Sequence, residues 1–374
     1  MKALRIYAGP VARRHIEQNG LLPTHVGVVP GAAGGPKGLI LGALDRFIFG
    51  DWLAHTSHPV HLVGSSIGAW RMATACLSEP VAGFRQLEDE YIHQHYELLP
   101  GQKRPTADLV SEQFGQSLKS FYGGRVQQVL HHPRYRLHIV TSRGRHLLGR
   151  EHKVATPLGY LGAFLTNSLH RKAMGAWLER VVFSSAVSAL PGAPCAPLPF
   201  ATSDYRTRQV HLDEANFQPA LQASCSIPFV LRSVHNIPGA PPGAYWDGGI
   251  TDYHLHLNYH RPDPTAPARG TSPQLVLYPH FQKSVVPGWL DKGLKWRHGA
   301  THFLDNMVLL APDPQWIKSL PNGKLPDRSD FTHYGTDLQA RVKAWGTAVA
   351  ASKQLADEWQ AWLARPDPAQ LHML

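Results

Sequence analysis

Cysteine is scarce in this sequence: Cys76, Cys195 and Cys225 are the only three in 374 residues. Three scattered thiols exclude a disulfide framework or a cysteine-based zinc site, and they suit a reducing compartment. Long apolar runs are missing as well. No stretch approaches the roughly 18–20 uninterrupted apolar residues of a membrane span, and Met1 to Pro10 holds no apolar run of the kind a signal peptide carries. A cytoplasmic location is therefore expected, with any membrane contact confined to the bilayer surface. Charge is moderate, at 17% of residues, and it is not clustered. The net charge of +10 is spread along the chain in pairs such as Arg13-Arg14. Without a basic helix interleaved with aromatics, no nucleic-acid partner is expected. Ordinary solvation, or attraction to anionic headgroups at a membrane surface, are the readings left. The 23 histidines contain no His-Glu-x-x-His pattern, and the closest pair is His254 and His256. No metal or cofactor is expected, and the oligomeric state is not readable.

What is present is enough apolar residue, 43%, for a large core. Strand-like and helix-like segments alternate through the first 250 residues, which predicts α/β layers around a mainly parallel sheet. Strands are expected at His25 to Val29, Val60 to Val63, Tyr135 to Thr141, Val181 to Ser184, Gln209 to Leu212 and Gln274 to Tyr278. Helical spacing follows at Leu39 to Trp52, Ala69 to Leu77 and Val81 to about Tyr96. A Pro/Ala-rich surface loop is expected at Pro262 to Pro273. Near the C-terminus Thr336 reads as the N-cap of one long helix, Asp337 to about Leu363. Its apolar residues, among them Trp345 and Trp359, fall on one stripe suited to packing on the body of the protein.

Chemistry concentrates in short motifs. Gly64-Ser65-Ser66-Ile67-Gly68 matches Gly-x-Ser-x-Gly, and the expected strand before it and helix after it supply the context of a nucleophile elbow. Gly31-Ala-Ala-Gly-Gly-Pro-Lys-Gly38 also stands between strand and helix. Consecutive glycines there present N–H groups to one point, which suits a phosphate or a developing oxyanion. The phosphate-loop pattern fails, because Pro36 precedes Lys37 and Gly38 replaces the required Ser or Thr. Adjacent parallel strands would bring Gly34 and Gly35 to the sheet edge that carries Ser66, so the oxyanion reading is the better one. Trp246-Asp247-Gly248-Gly249 places an aspartate at a strand end before a tight turn, although Asp-Gly is also a common turn dipeptide. Ala223-Ser-Cys-Ser-Ile-Pro228 is uninformative alone.

Together these four elements, in this order over residues 24 to 257, resemble the patatin-like phospholipase family. Ala33 and Pro36 depart from the family pattern, Pro36 having no N–H to offer. The resemblance implies a three-layer α/β/α fold over residues 1–257; residues 258–374 carry no family signature and are expected as a C-terminal extension of a strand and helices packed on it. It also implies a lipolytic acyl-ester hydrolase with a Ser66-Asp247 dyad and a Gly34-Gly35 oxyanion hole. Lys37 and Gly38 would stabilise the loop or meet a headgroup, and the partner would be a lipid or other acyl ester. Two rival readings stay open: a Ser-Asp-His triad using His254 or His256, and a non-catalytic acyl-binding protein on the same scaffold.

Overall fold

The computed structural model describes residues 1–97, 102, 104–188, 190, 192–259 and 275–374. The loop expected at Pro262 to Pro273 lies outside the described residues. The first six strands are β1 (Leu4–Ala8), β2 (Val26–Gly31), β3 (Val60–Ser65), β4 (Tyr135–Gly144), β5 (Leu178–Ser184) and β6 (Thr207–His211). They are followed by β7 (Val234–His235), β8 (Ala244–Asp247), β9 (Leu275–Pro279), β10 (Met307–Pro312) and β11 (Leu371–Met373). All belong to one mixed sheet in the order β11-β1-β10-β9-β2-β3-β4-β5-β6, with β8 hydrogen-bonded to β4 and β7 to β8. The central pairs from β10 through β4 are parallel, and helices flank the sheet in a three-layer α/β/α architecture. Parallel strands covered on both faces need near-continuous apolar runs. Val26 to Val29 and Met307 to Leu310 meet that demand by being buried throughout.

The sequence places the early strands to within a few residues. Two helical expectations need correction. Leu39 to Trp52 is not one regular helix. It starts earlier, as a tight 3₁₀ stretch at Gly35–Leu41, becomes α over Gly42–Phe47 and widens to a π turn at Ile48–Trp52. The long C-terminal helix is two helices, Leu338–Ala351 and Lys353–Ala364, capped by Asp337 and not by Thr336. The Asp337 carboxylate accepts from Ala340 N at 3.0 Å. The break falls at Ser352, whose hydroxyl donates to Val349 O at 2.7 Å and tightens the last turn. Trp345 and Trp359 are buried against the body of the protein.

Residues 258–374, expected as an extension packed on a unit ending at 257, contribute β9, β10 and β11 to the same sheet. β9 lies between β10 and β2, directly beside the strand that leads into the glycine-rich loop.

Candidate active site

Strand register assembles the site. β3 ends with Ser65 opposite Val140 of β4, while β8 runs antiparallel to β4 and ends with Asp247 opposite Thr141. β5 occupies the other edge of β4, so β3 and β8 finish end to end along one edge. Residue 66 and residue 247 are thereby neighbours although 181 positions apart in the chain. Ser66 Oγ donates to Asp247 Oδ2 at 2.7 Å, and both side chains are buried. The other carboxylate oxygen accepts from Gly249 N at 2.7 Å.

The elbow itself is strained. Ser66 has φ 56° and ψ −129°, outside the regions ordinary residues prefer. The helix Ile67–Ala75 starts immediately after it. The turn is tight enough that a Cβ on Gly68 would lie 1.8 Å from Gly31 O, and one on Gly248 would lie 2.1 Å from Val140 O. Ser224 pins the arrangement: its hydroxyl accepts from Ser66 N at 3.0 Å and donates to Val140 O at 2.7 Å. Asp247 N donates to Ser226 O at 2.9 Å, and Gly248 N to Ser224 O at 3.2 Å. The segment Ala223 to Pro228 thus clamps the ends of both strands.

The glycine-rich loop leaves β2 at the same level, since Gly31 of β2 pairs with Gly64 of β3. Ala33 N is committed to Tyr253 O at 2.9 Å. Gly34 and Gly35 face the two cavities that meet at Ser66. The larger cavity, about 1030 Å³, has Ile67, Trp70, Phe114, Phe229 and Leu231 in its walls. The smaller, about 260 Å³, is bounded by Asp247, Tyr253 and three cations: Lys37, Lys292 and Arg328.

Burial raises the Asp247 carboxyl above the ordinary carboxylate range, against the hydrogen bond from Ser66 and the positive charge of Arg328, which act the other way. Desolvation lowers the Lys37 ammonium. Lys292 is brought down to about 8, by desolvation first and then by repulsion from Arg328 and Lys37. Its ammonium stands 4.0 Å from the centre of the Tyr253 ring.

A strand–serine–helix elbow, a carboxylate on its hydroxyl and a glycine-rich loop at one sheet edge form the arrangement that the four motifs resemble. A family model described as patatin-like phospholipase matches residues 32–254, more than half of the chain. The chain belongs to the patatin-like phospholipase family. Membership implies a lipolytic acyl hydrolase. No curated protein matches the chain.

In this patatin-like protein the two histidines of the rival triad are engaged elsewhere. His254 Nδ1 lies within hydrogen-bonding distance of Ser284 O and Val286 N, and takes one of them as partner according to its tautomer, while His256 bridges Val285 O and Thr301 Oγ1. Burial lowers the pKa of both, His256 to about 4, so each ring is held neutral. Among the described residues no histidine hydrogen-bonds Ser66 or Asp247. Gly38 packs against Ile67 and lines neither cavity.

Sequence reasoning missed Ser224, Lys292 and Arg328. Ser224 stood inside a noted motif but without a role. The two cations lie beyond residue 254, in a region without a motif, and look like any other basic residue there.

Proposed function

We propose that this chain is a lipolytic serine acyl-ester hydrolase in which Ser66 is the nucleophile and Asp247 its base. The observation that carries this reading is the buried 2.7 Å hydrogen bond from Ser66 Oγ to Asp247 Oδ2, at the meeting point of two cavities. A free aspartate, with a pKa of about 3.9, is a poor acceptor for a hydroxyl proton. Burial raises Asp247 and narrows that gap.

Asp247 takes the Oγ proton as Oγ bonds to the ester carbonyl carbon, and the carbonyl oxygen becomes an oxyanion within reach of the Gly34 and Gly35 amides. The carbon–oxygen bond to the alcohol then breaks, and the alcohol leaves with the proton from Asp247. Water attacks the acyl-serine by the same route in reverse, and frees the acid and the serine. The larger cavity, with its apolar walls, suits the acyl chain. Lys37, Lys292 and Arg328 suit a phosphate or other anion on the alcohol side, so the favoured substrate is a phospholipid or lysophospholipid. Gly38, by lacking a side chain, lets the loop close against Ile67.

The test is hydrolysis of p-nitrophenyl esters of graded chain length, together with labelling by a fluorophosphonate probe. The wild type is expected to react with both, while Ser66→Ala takes no label and Asp247→Asn loses on the order of 10³-fold or more in kcat. Equal labelling of wild type and Ser66→Ala removes Ser66 from the mechanism.

A further inference from the structure

The helix Ala155–Leu169 is unlike the others on the surface. It contains no charged residue, and it exposes Leu158 (55%), Leu161 (54%), Leu165 (55%) and Leu169 (86%), with Val154 just before it (62%). Spacings of three and four place these side chains on one outward stripe. The inward face, with Thr156, Tyr160, Ala163 and Asn167, is already buried. A monomeric surface rarely leaves a contiguous apolar stripe of this kind without use.

Two observations say what covers it. The first is continuity with the larger cavity. Tyr160, on the inner face, packs against Trp246 on one side and Phe229 on the other, with ring centroids 6.1 and 6.0 Å away. Trp246 immediately precedes Asp247. Phe229 and Val230 are themselves exposed apolar residues and form part of the wall of the cavity that contains Ser66. The helix that carries the leucine stripe is thus joined, through Tyr160, to an exposed apolar residue at the wall of the cavity.

The second is charge. Exposed Arg150 and Lys153 precede the helix and exposed Lys172 follows it. Glu151, the one acidic residue from 150 to 172, is held by Arg232 at 2.9 Å. Arg297 binds Ser168 O at the far end of the helix, and its neighbour Trp296 is 73% exposed beside Lys295. Apolar side chains flanked by cations and an aromatic fit the boundary between acyl chains and anionic headgroups.

We infer that the helix Ala155–Leu169 seats the protein on an anionic lipid surface and sets the mouth of the larger cavity against it. An acyl chain then passes from the lipid layer over Phe229 to Ser66 without crossing water. This rests on the lipolytic reading of the site, but the stripe itself is separate from it, since none of the outward leucines lines either of the two cavities at Ser66.

The test compares wild type with Leu158→Glu/Leu161→Glu/Leu165→Glu, whose changes are all on the surface and are expected to leave thermal unfolding unchanged. Co-sedimentation is measured with phosphatidylcholine vesicles with and without phosphatidylglycerol, and hydrolysis is measured on those vesicles and on a soluble short-chain ester. Wild type is expected to bind the anionic vesicles more tightly, and the variant to bind them at least about tenfold more weakly. Vesicle hydrolysis falls with binding, while soluble-ester hydrolysis is unchanged. Undiminished vesicle binding by the folded variant overturns the inference. So does a wild-type dimer that the variant dissociates and that binds no vesicles, since the stripe is then an interface between copies. Vesicle binding that depends on the leucines, with no hydrolysis of any ester, upholds this inference and rejects the hydrolase reading instead.

Discussion

Ser66 and Asp247 depend on one another through a proton, and burial sets the terms. The Asp247 carboxyl is raised because a charge enclosed by protein is costly, and the hydrogen bond from Ser66 and the charge of Arg328 only partly offset that cost. A raised carboxyl is uncharged at low pH, and only its ionised form can accept the serine proton. The acid limb of kcat/KM for a neutral ester is therefore expected above the ordinary aspartate value of about 3.9, with activity gained as pH rises through it. Steady-state kinetics on a soluble ester from about pH 3 to about 8 read this directly, and a limb at or below the ordinary value removes Asp247 as the base. At this scale the sequence was most legible where a motif imposed geometry. Ser66 could be named from the Gly-x-Ser-x-Gly spacing, and Asp247 because four short motifs in order resemble the patatin-like family; alone, Asp-Gly reads as a common turn. Ser224 could not, because its part is played by two hydrogen bonds to groups remote in sequence, Ser66 N and Val140 O.

At the level of elements, the site is the product of three strand ends and the turns that follow them. β2 delivers the glycine loop, β3 the serine, and β8 the aspartate from the opposite direction. The closest approach is between the start of the helix Ile67–Ala75 and the end of β2, where a Gly68 Cβ would sit 1.8 Å from Gly31 O. Backbone cannot move aside as a flexible side chain would, so Gly68→Ala is expected to cost about 3 kcal/mol or more. Chemical denaturation measures it, and a variant as stable as wild type contradicts the packing described. Periodicity found the elements but not their interruptions. The apolar stripe from Leu338 to Leu363 keeps its phase across Ser352, so nothing in the spacing marked two helices. The strand Met307–Pro312 is a short apolar run, which periodicity alone does not separate from a buried helical turn.

Across the whole molecule, the smaller cavity draws its cations from three distant segments: Lys37 from the glycine loop, Lys292 and Arg328 from the chain after β9. Sequence alone left Lys292 and Arg328 among 37 basic residues; the threading of β9 and β10 through the sheet brings them to the cavity that holds Ser66 and Lys37. Their convergence makes substrate binding depend on pH separately from catalysis. Lys292, brought down to about 8 by desolvation and by Arg328 and Lys37, is charged below that pH and neutral above it. Loss of that charge removes one of the three cations from the cavity. If an anion on the alcohol side of the substrate occupies this cavity, KM for a phosphate-bearing ester should rise several-fold as pH passes through about 8. KM for a neutral ester of the same acyl chain should stay flat, because it presents no anion to the cations of the smaller cavity. Lys292→Gln is expected to raise KM for the anionic ester below pH 8 and to abolish its pH dependence, with kcat little changed. Parallel KM profiles for the two esters, or an unaltered profile in the variant, place the anion elsewhere.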